Sequence, residues 1–153
     1  MKRATVPVLA ATIVLAVVSY SPATSKPVID VEIFGIELCP QSICGAADFI
    51  GGFEGRIGTR NFVVGDFGVS VKHDDLPPPH ETAAITGGSW ILASRQGRIS
   101  GVVVEGTLFN NGDNTYAVYA LLQLQQGGTG QINFLGTLDH NTFIPTVTGT
   151  LSQ

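Results

Sequence analysis

The sequence predicts an all-β fold: an up-and-down antiparallel meander of about eight strands that closes as a small β-barrel behind an N-terminal signal peptide. Three observations predict it. Apolar and polar residues alternate with period two along most of the chain. After the first 23 residues, no ten-residue window follows a helical period. Short turns rich in Gly and Asn separate the alternating runs, and strands joined by such turns are adjacent and antiparallel.

The chain opens MKRATVPVLAATIVLAVVSYSPATSKP. Lys2 and Arg3 precede an uncharged, mostly apolar run of 13 residues, Val6 to Val18, and small residues follow around Ala23. This is the layout of a secretory signal peptide, assigned to residues 1–23. A spanning helix takes about 20 apolar residues, so no stable membrane span is expected. Residues 24–153 then form one domain, exported to the periplasm or the extracellular space. Without Lys2 and Arg3 it carries 6 basic and 12 acidic residues, an excess that argues against nucleic acid as a partner.

The first strand is expected over 28–38. It runs into CPQSIC, residues 39–44, which holds both cysteines. In an oxidising compartment the two are expected to pair. The C-x4-C spacing is not the C-x-x-C of redox sites, and no second Cys pair exists to complete a zinc site. Pro40 and Ser42 favour a turn. Cys39–Cys44 is therefore expected as a local disulfide staple, stabilising by about 2 kcal/mol in the chain-entropy model.

Strands over 46–58 and 62–73 come next, then the longest connection, His73 to Glu81. Its Pro77-Pro78-Pro79 run cannot join a ladder. Strands 82–95 and 98–109 flank Arg95-Gln96-Gly97-Arg98. Strand 115–126 follows Asn110 to Asn114, and strand 130–138 follows Gly127-Gly128-Thr129. The last strand, 143–151, follows Asp139 to Thr142. The alternation is clearest in Tyr116 to Leu124, where the even positions read Tyr, Val, Ala, Leu, Leu. Pro145 falls on the apolar face of the last strand and has no N–H. It predicts imperfect closure there.

Five times a Gly on the apolar face has apolar neighbours two positions away. The centres are Gly55, Gly65, Gly106, Gly136 and Gly149. Glycine inside a strand packs nothing, so sharp coiling of the sheet or room for a large side chain is the expected reason. Register follows from the faces, because paired residues share one. Pairing Leu108 with Tyr116 and Leu124 with Ile132 sets Val103, Leu121 and Leu135 in a row on the outer face. Such a row is an expected contact for a homo-oligomer.

Candidate chemistry is sparse. His73 and His80 flank the proline loop beside Asp74, Asp75 and Glu81, but the spacing fits no metal site, and they read as solvated loop polars. His140 beside Asp139 reads as turn chemistry. No G-x-S-x-G elbow and no G-x-x-x-x-G-K-[ST] occurs. Gly127 to Gly130 joins two strands rather than opening a helix, so it lacks the dipole that cradles phosphate. Asn110 to Asn114 lacks the spaced ligands of a calcium loop. Neither metal nor cofactor is expected.

The inferred architecture is similar to that of small eight-stranded barrels such as the lipocalins and the allene oxide cyclase and dirigent type. The N-terminal lipocalin motif is missing, no residue is carried over, and shared architecture implies no function.

These readings give an exported, soluble, non-catalytic barrel acting as a binding or structural module, with a small apolar ligand as the expected partner. Phe53, Phe67, Tyr116, Phe134 and Phe143 are the candidate lining. One alternative is a barrel-type isomerase or cyclase of an apolar substrate, for which His73 and Tyr116 have inward parity. Others are a self-assembling surface protein and a small outer-membrane barrel with the apolar face on lipid.

Overall fold

A computed structural model describes residues 28–153. The predicted signal peptide, residues 1–23, lies outside the described residues. Eight strands follow in order: β1 Ile29–Cys39, β2 Ala47–Ile57, β3 Arg60–His73, β4 Thr82–Ser94, β5 Gly97–Asn110, β6 Thr115–Gln126, β7 Gln131–Asp139 and β8 Thr146–Ser152. One helical turn, α1 Gln41–Cys44, sits between β1 and β2. Each strand pairs antiparallel with its neighbour in sequence, and β8 pairs with β1 to close the barrel. Every backbone edge is thereby paired.

The alternation decides which face turns in. In β1, Ile29, Val31 and Ile33 are buried, while Asp30, Glu32 and Phe34 between them are exposed. The other strands contribute Phe49, Phe53, Phe67, Trp90, Leu122 and Phe134 to the same interior. Mid-strand Glu32, Glu54, Arg56 and Asp66 point outward and are exposed. The outer face is mixed, with Phe34, Ile36, Leu38, Ile50, Phe62 and Val64 exposed beside these charges, while the apolar interior differs from the polar lumen of a lipid-embedded barrel.

The recurring glycines have two local reasons. A Cβ at Gly65 would meet the Phe53 ring, and one at Gly136 or Gly149 would meet the Phe134 ring. These positions seat an aromatic ring from within the barrel. At all five positions a Cβ would also meet the backbone of the neighbouring strand, and at Gly55 and Gly106 no aromatic ring is involved.

Two expectations about faces need correction. The ladder pairs Leu108 with Val118 and Leu122 with Ile132, each shifted by two from the expected partner. Shifts of two keep faces. The irregularity between Val103 and Glu105 does not, because one extra residue on β5 reverses parity. Val103 therefore turns into the core at 4% exposure, and Val104 turns out at 44%. The outer row of Val103, Leu121 and Leu135 does not form: Leu135 faces Tyr119, and Leu121 faces Asn133.

The last strand also starts later than expected. Phe143 lies in the β7–β8 loop, fully exposed, and β8 begins after Pro145. Pro145 has no N–H to give, but its carbonyl accepts from the Glu37 N–H at 2.8 Å. The β1–β8 seam therefore continues to the rim, and the barrel closes where the proline suggested a gap.

The two ends differ. At one end lie the β2–β3, β4–β5 and β6–β7 hairpins, and there Ile29, Phe53, Val63, Leu92 and Ile132 fill the interior. At the other lie α1 and the β3–β4, β5–β6 and β7–β8 loops.

Candidate functional site

The second end is open. A cavity of about 420 Å³ runs from it into the barrel. Its wall is apolar, with Phe49, Phe67, Trp90, Val103, Leu122 and Phe134 among the lining side chains. Its mouth is polar: Glu37, Gln41, Ser42, His73, Asp75 and His140.

The turn at residues 39–44 builds one side of the mouth. Pro40 is extended (φ −70°, ψ 149°) and opens α1. Gly45, at φ +77°, ends it in the left-handed conformation, and its N–H donates to the Gln41 carbonyl at 2.8 Å. Glycine adopts that conformation without a Cβ penalty. Cys39 and Cys44 form the expected disulfide, with Cα atoms 6.1 Å apart. Gln41 then reaches across to β3. Its Nε2 donates to the His73 carbonyl at 2.5 Å, and its Oε1 accepts from the His73 N–H at 2.7 Å.

The proline loop forms the neighbouring side. Buried Asn110, 7% exposed, pins it. Its Nδ2 donates to the Pro77 carbonyl at 2.7 Å, its Oδ1 accepts from the Gly112 N–H, and its backbone bonds Glu81 and His80. Leu76 and Asp75 consequently hang over the cavity. His73 sits at an irregularity of β3 beside Lys72. Its Nδ1 lies 2.5 Å from the Asp74 carbonyl, which can only accept, so Nδ1 carries the proton. In the neutral ring this leaves Nε2 as an acceptor.

His140 closes the third side. Its ring meets the Tyr116 ring edge-on, with centroids 5.3 Å apart and planes at 61°. The His140 Nε2 and Trp90 Nε1 atoms are buried and have no hydrogen-bond partner among the described residues. The Trp90 indole nitrogen lies against Gly101, where a Cβ would come within 3.0 Å of it.

Of the side chains expected to line a ligand site, Phe67 and Phe134 do line the cavity. Phe53 and Tyr116 point inward but lie off its wall, in the filled end and against His140 respectively. Phe143 lies outside the barrel altogether. Phe49, Trp90 and Gln41 were missed. Phe49 shares parity with Phe53 in β2, a signal present in the sequence. Trp90 follows Gly87 and Gly88, where the chain changes face, so its parity misleads.

The remaining polar groups do not gather. Among the described residues, no three His, Cys, Asp or Glu side chains are placed to hold a metal ion. His80 packs against Gly112, away from His73. Hydrogen bonds from the Thr115 hydroxyl and N–H hold the Asp113 carboxyl below its ordinary range, which is turn chemistry. Comparison with protein-family models, curated proteins and solved structures gave no match.

Proposed function

We propose that this barrel is an exported, non-catalytic binding module that holds a small apolar ligand in its cavity. The observation that carries the reading is the 420 Å³ apolar cavity with a polar mouth. Small-molecule sites run to roughly 300–1,000 Å³ and combine apolar walls with a few polar groups. A ligand in an apolar space of this size supplies the packing contacts that large core side chains would otherwise provide. Native mass spectrometry of the unreduced chain, purified from an exporting host, tests the reading. A retained small molecule of constant mass supports it. A ligand-free chain that also fails to take up apolar compounds sinks it.

A catalytic reading as an isomerase or cyclase draws on one observation, the His73 imidazole at the mouth with Nε2 free to accept a proton. It predicts turnover that a His73→Phe variant loses while still binding. A self-assembling reading draws on the exposed Tyr119–Leu135 pair beside Leu121. It requires self-association at high concentration, which sedimentation velocity measures.

A further inference from the structure

The charge around the cavity is one-sided. Among its lining residues, Glu37 and Asp75 are the two with a formal charge at neutral pH, and both are carboxylates. No Lys or Arg lines it. The surrounding strand ends and loops add Asp48, Asp74, Glu81 and Asp139. Among the described residues, Lys72 is the one Lys or Arg at this end, beside the three histidines His73, His80 and His140, and it is exposed on the outer face of β3. Arg56, Arg60, Arg95 and Arg98 all lie at the opposite, filled end, where Arg56 already faces Asp30 at 3.8 Å.

Two of the neutral polar groups at the mouth are already committed. Gln41 spends both ends of its amide on the His73 backbone. The His73 Nδ1 lies on the Asp74 carbonyl, which in the neutral ring leaves Nε2 as an acceptor. Ser42, His140 and the second Gln41 N–H can still donate, as can the Trp90 indole N–H in the wall, so the preference rests on formal charge, which above the apolar pocket is negative. A carboxylate or phosphate head group would meet repulsion there and no guanidinium fork. A protonated amine would meet Glu37, Asp75 and an imidazole acceptor.

The geometry points to a cationic amphiphile as the ligand: an apolar body in the cavity and a protonated amine at the mouth between Glu37 and Asp75. This rests on the apolar-ligand reading above and narrows it. The acidic rim also draws such a cation toward the open end, an effect that falls with ionic strength.

Displacement of the neutral fluorophore N-phenyl-1-naphthylamine by decylammonium, decanol and decanoate at pH 7 and low salt separates the two claims. The expected order is decylammonium tightest, decanol next and decanoate weakest, with about tenfold between the two ions. In Glu37→Gln/Asp75→Asn the gap between the ions closes while decanol binds as before, which also reports an intact fold. If decanol binds but the two ions are equal, or decanoate binds tighter, the charge inference is overturned and the apolar site stands. If none of the three competes and the fluorophore itself does not bind, both fall.

Discussion

Gln41 and His73, 32 residues apart in sequence, are joined by two hydrogen bonds between one side-chain amide and one backbone unit. The pair ties the turn after β1 to the end of β3 and fixes one wall of the cavity mouth. Replacing Gln41 by Ala removes both bonds, at about 1 kcal/mol each. The expected effect is local. Amide exchange should quicken at Ile43 and Cys44, whose N–H groups donate to the Pro40 carbonyl, with little change in β5 and β6. Uniform quickening across the barrel would show that the contact carries global stability instead.

The Cys39–Cys44 bridge joins the last residue of β1 to the end of α1, closing a short loop at the rim of the barrel. Cys39→Ser/Cys44→Ser should therefore cost about 2 kcal/mol and leave the barrel closed. Urea unfolding followed by Trp90 fluorescence measures the cost, and far-UV circular dichroism reports the sheet. Loss of the sheet signal would contradict a purely local role.

Val103 and Leu135, once expected on one outer face, should respond oppositely to charge. Val103→Asp buries a carboxylate among apolar neighbours and should destabilise by more than about 3 kcal/mol. Leu135→Lys stays in water and should change stability by less than about 0.5 kcal/mol. Chemical denaturation of the two variants is the check. Equal sensitivity would mean that the irregularity in β5 is misplaced.

Gly149 lies beneath the Phe134 ring and beside the Leu135 carbonyl. Gly149→Ala should cost about 1–3 kcal/mol by overpacking and should push the ring toward the cavity, weakening ligand uptake. Gly58 provides the contrast. It has open space around its Cβ position but a left-handed φ of +65°. Gly58→Ala should cost about 1 kcal/mol through backbone strain and leave uptake unchanged. Thermal melts and fluorophore titrations of both variants separate packing from conformation.

Much of the fold was legible in the sequence because each strand carries its own record of its faces. The alternation in Tyr116 to Leu124 named the inward residues of β6, and the short turns gave the order of pairing. The disulfide was legible from the spacing of the two cysteines together with the expectation of export. Single extra residues were not legible. The insertion between Val103 and Glu105 reverses a face without any Gly or Pro to mark it. Phe143 kept the parity of β8 while lying in a loop, because Pro145 delays the strand. The cavity was legible only as a list of inward aromatics. Whether a barrel is hollow depends on summed side-chain volume against strand tilt, and no local pattern records that sum. The mouth was least legible, since Gln41 reaches His73 only after the barrel has closed.

If the interior holds an apolar ligand, filling that space should abolish uptake. Ala120 is 5% exposed and lines the cavity, so Ala120→Phe places a ring where the ligand would lie. Titration of N-phenyl-1-naphthylamine into the wild-type chain should give saturable one-site binding. The variant, shown to be folded by its melting transition, should give none. Absence of saturable binding to the wild-type chain, or equal binding to both, would exclude a ligand site in the barrel interior.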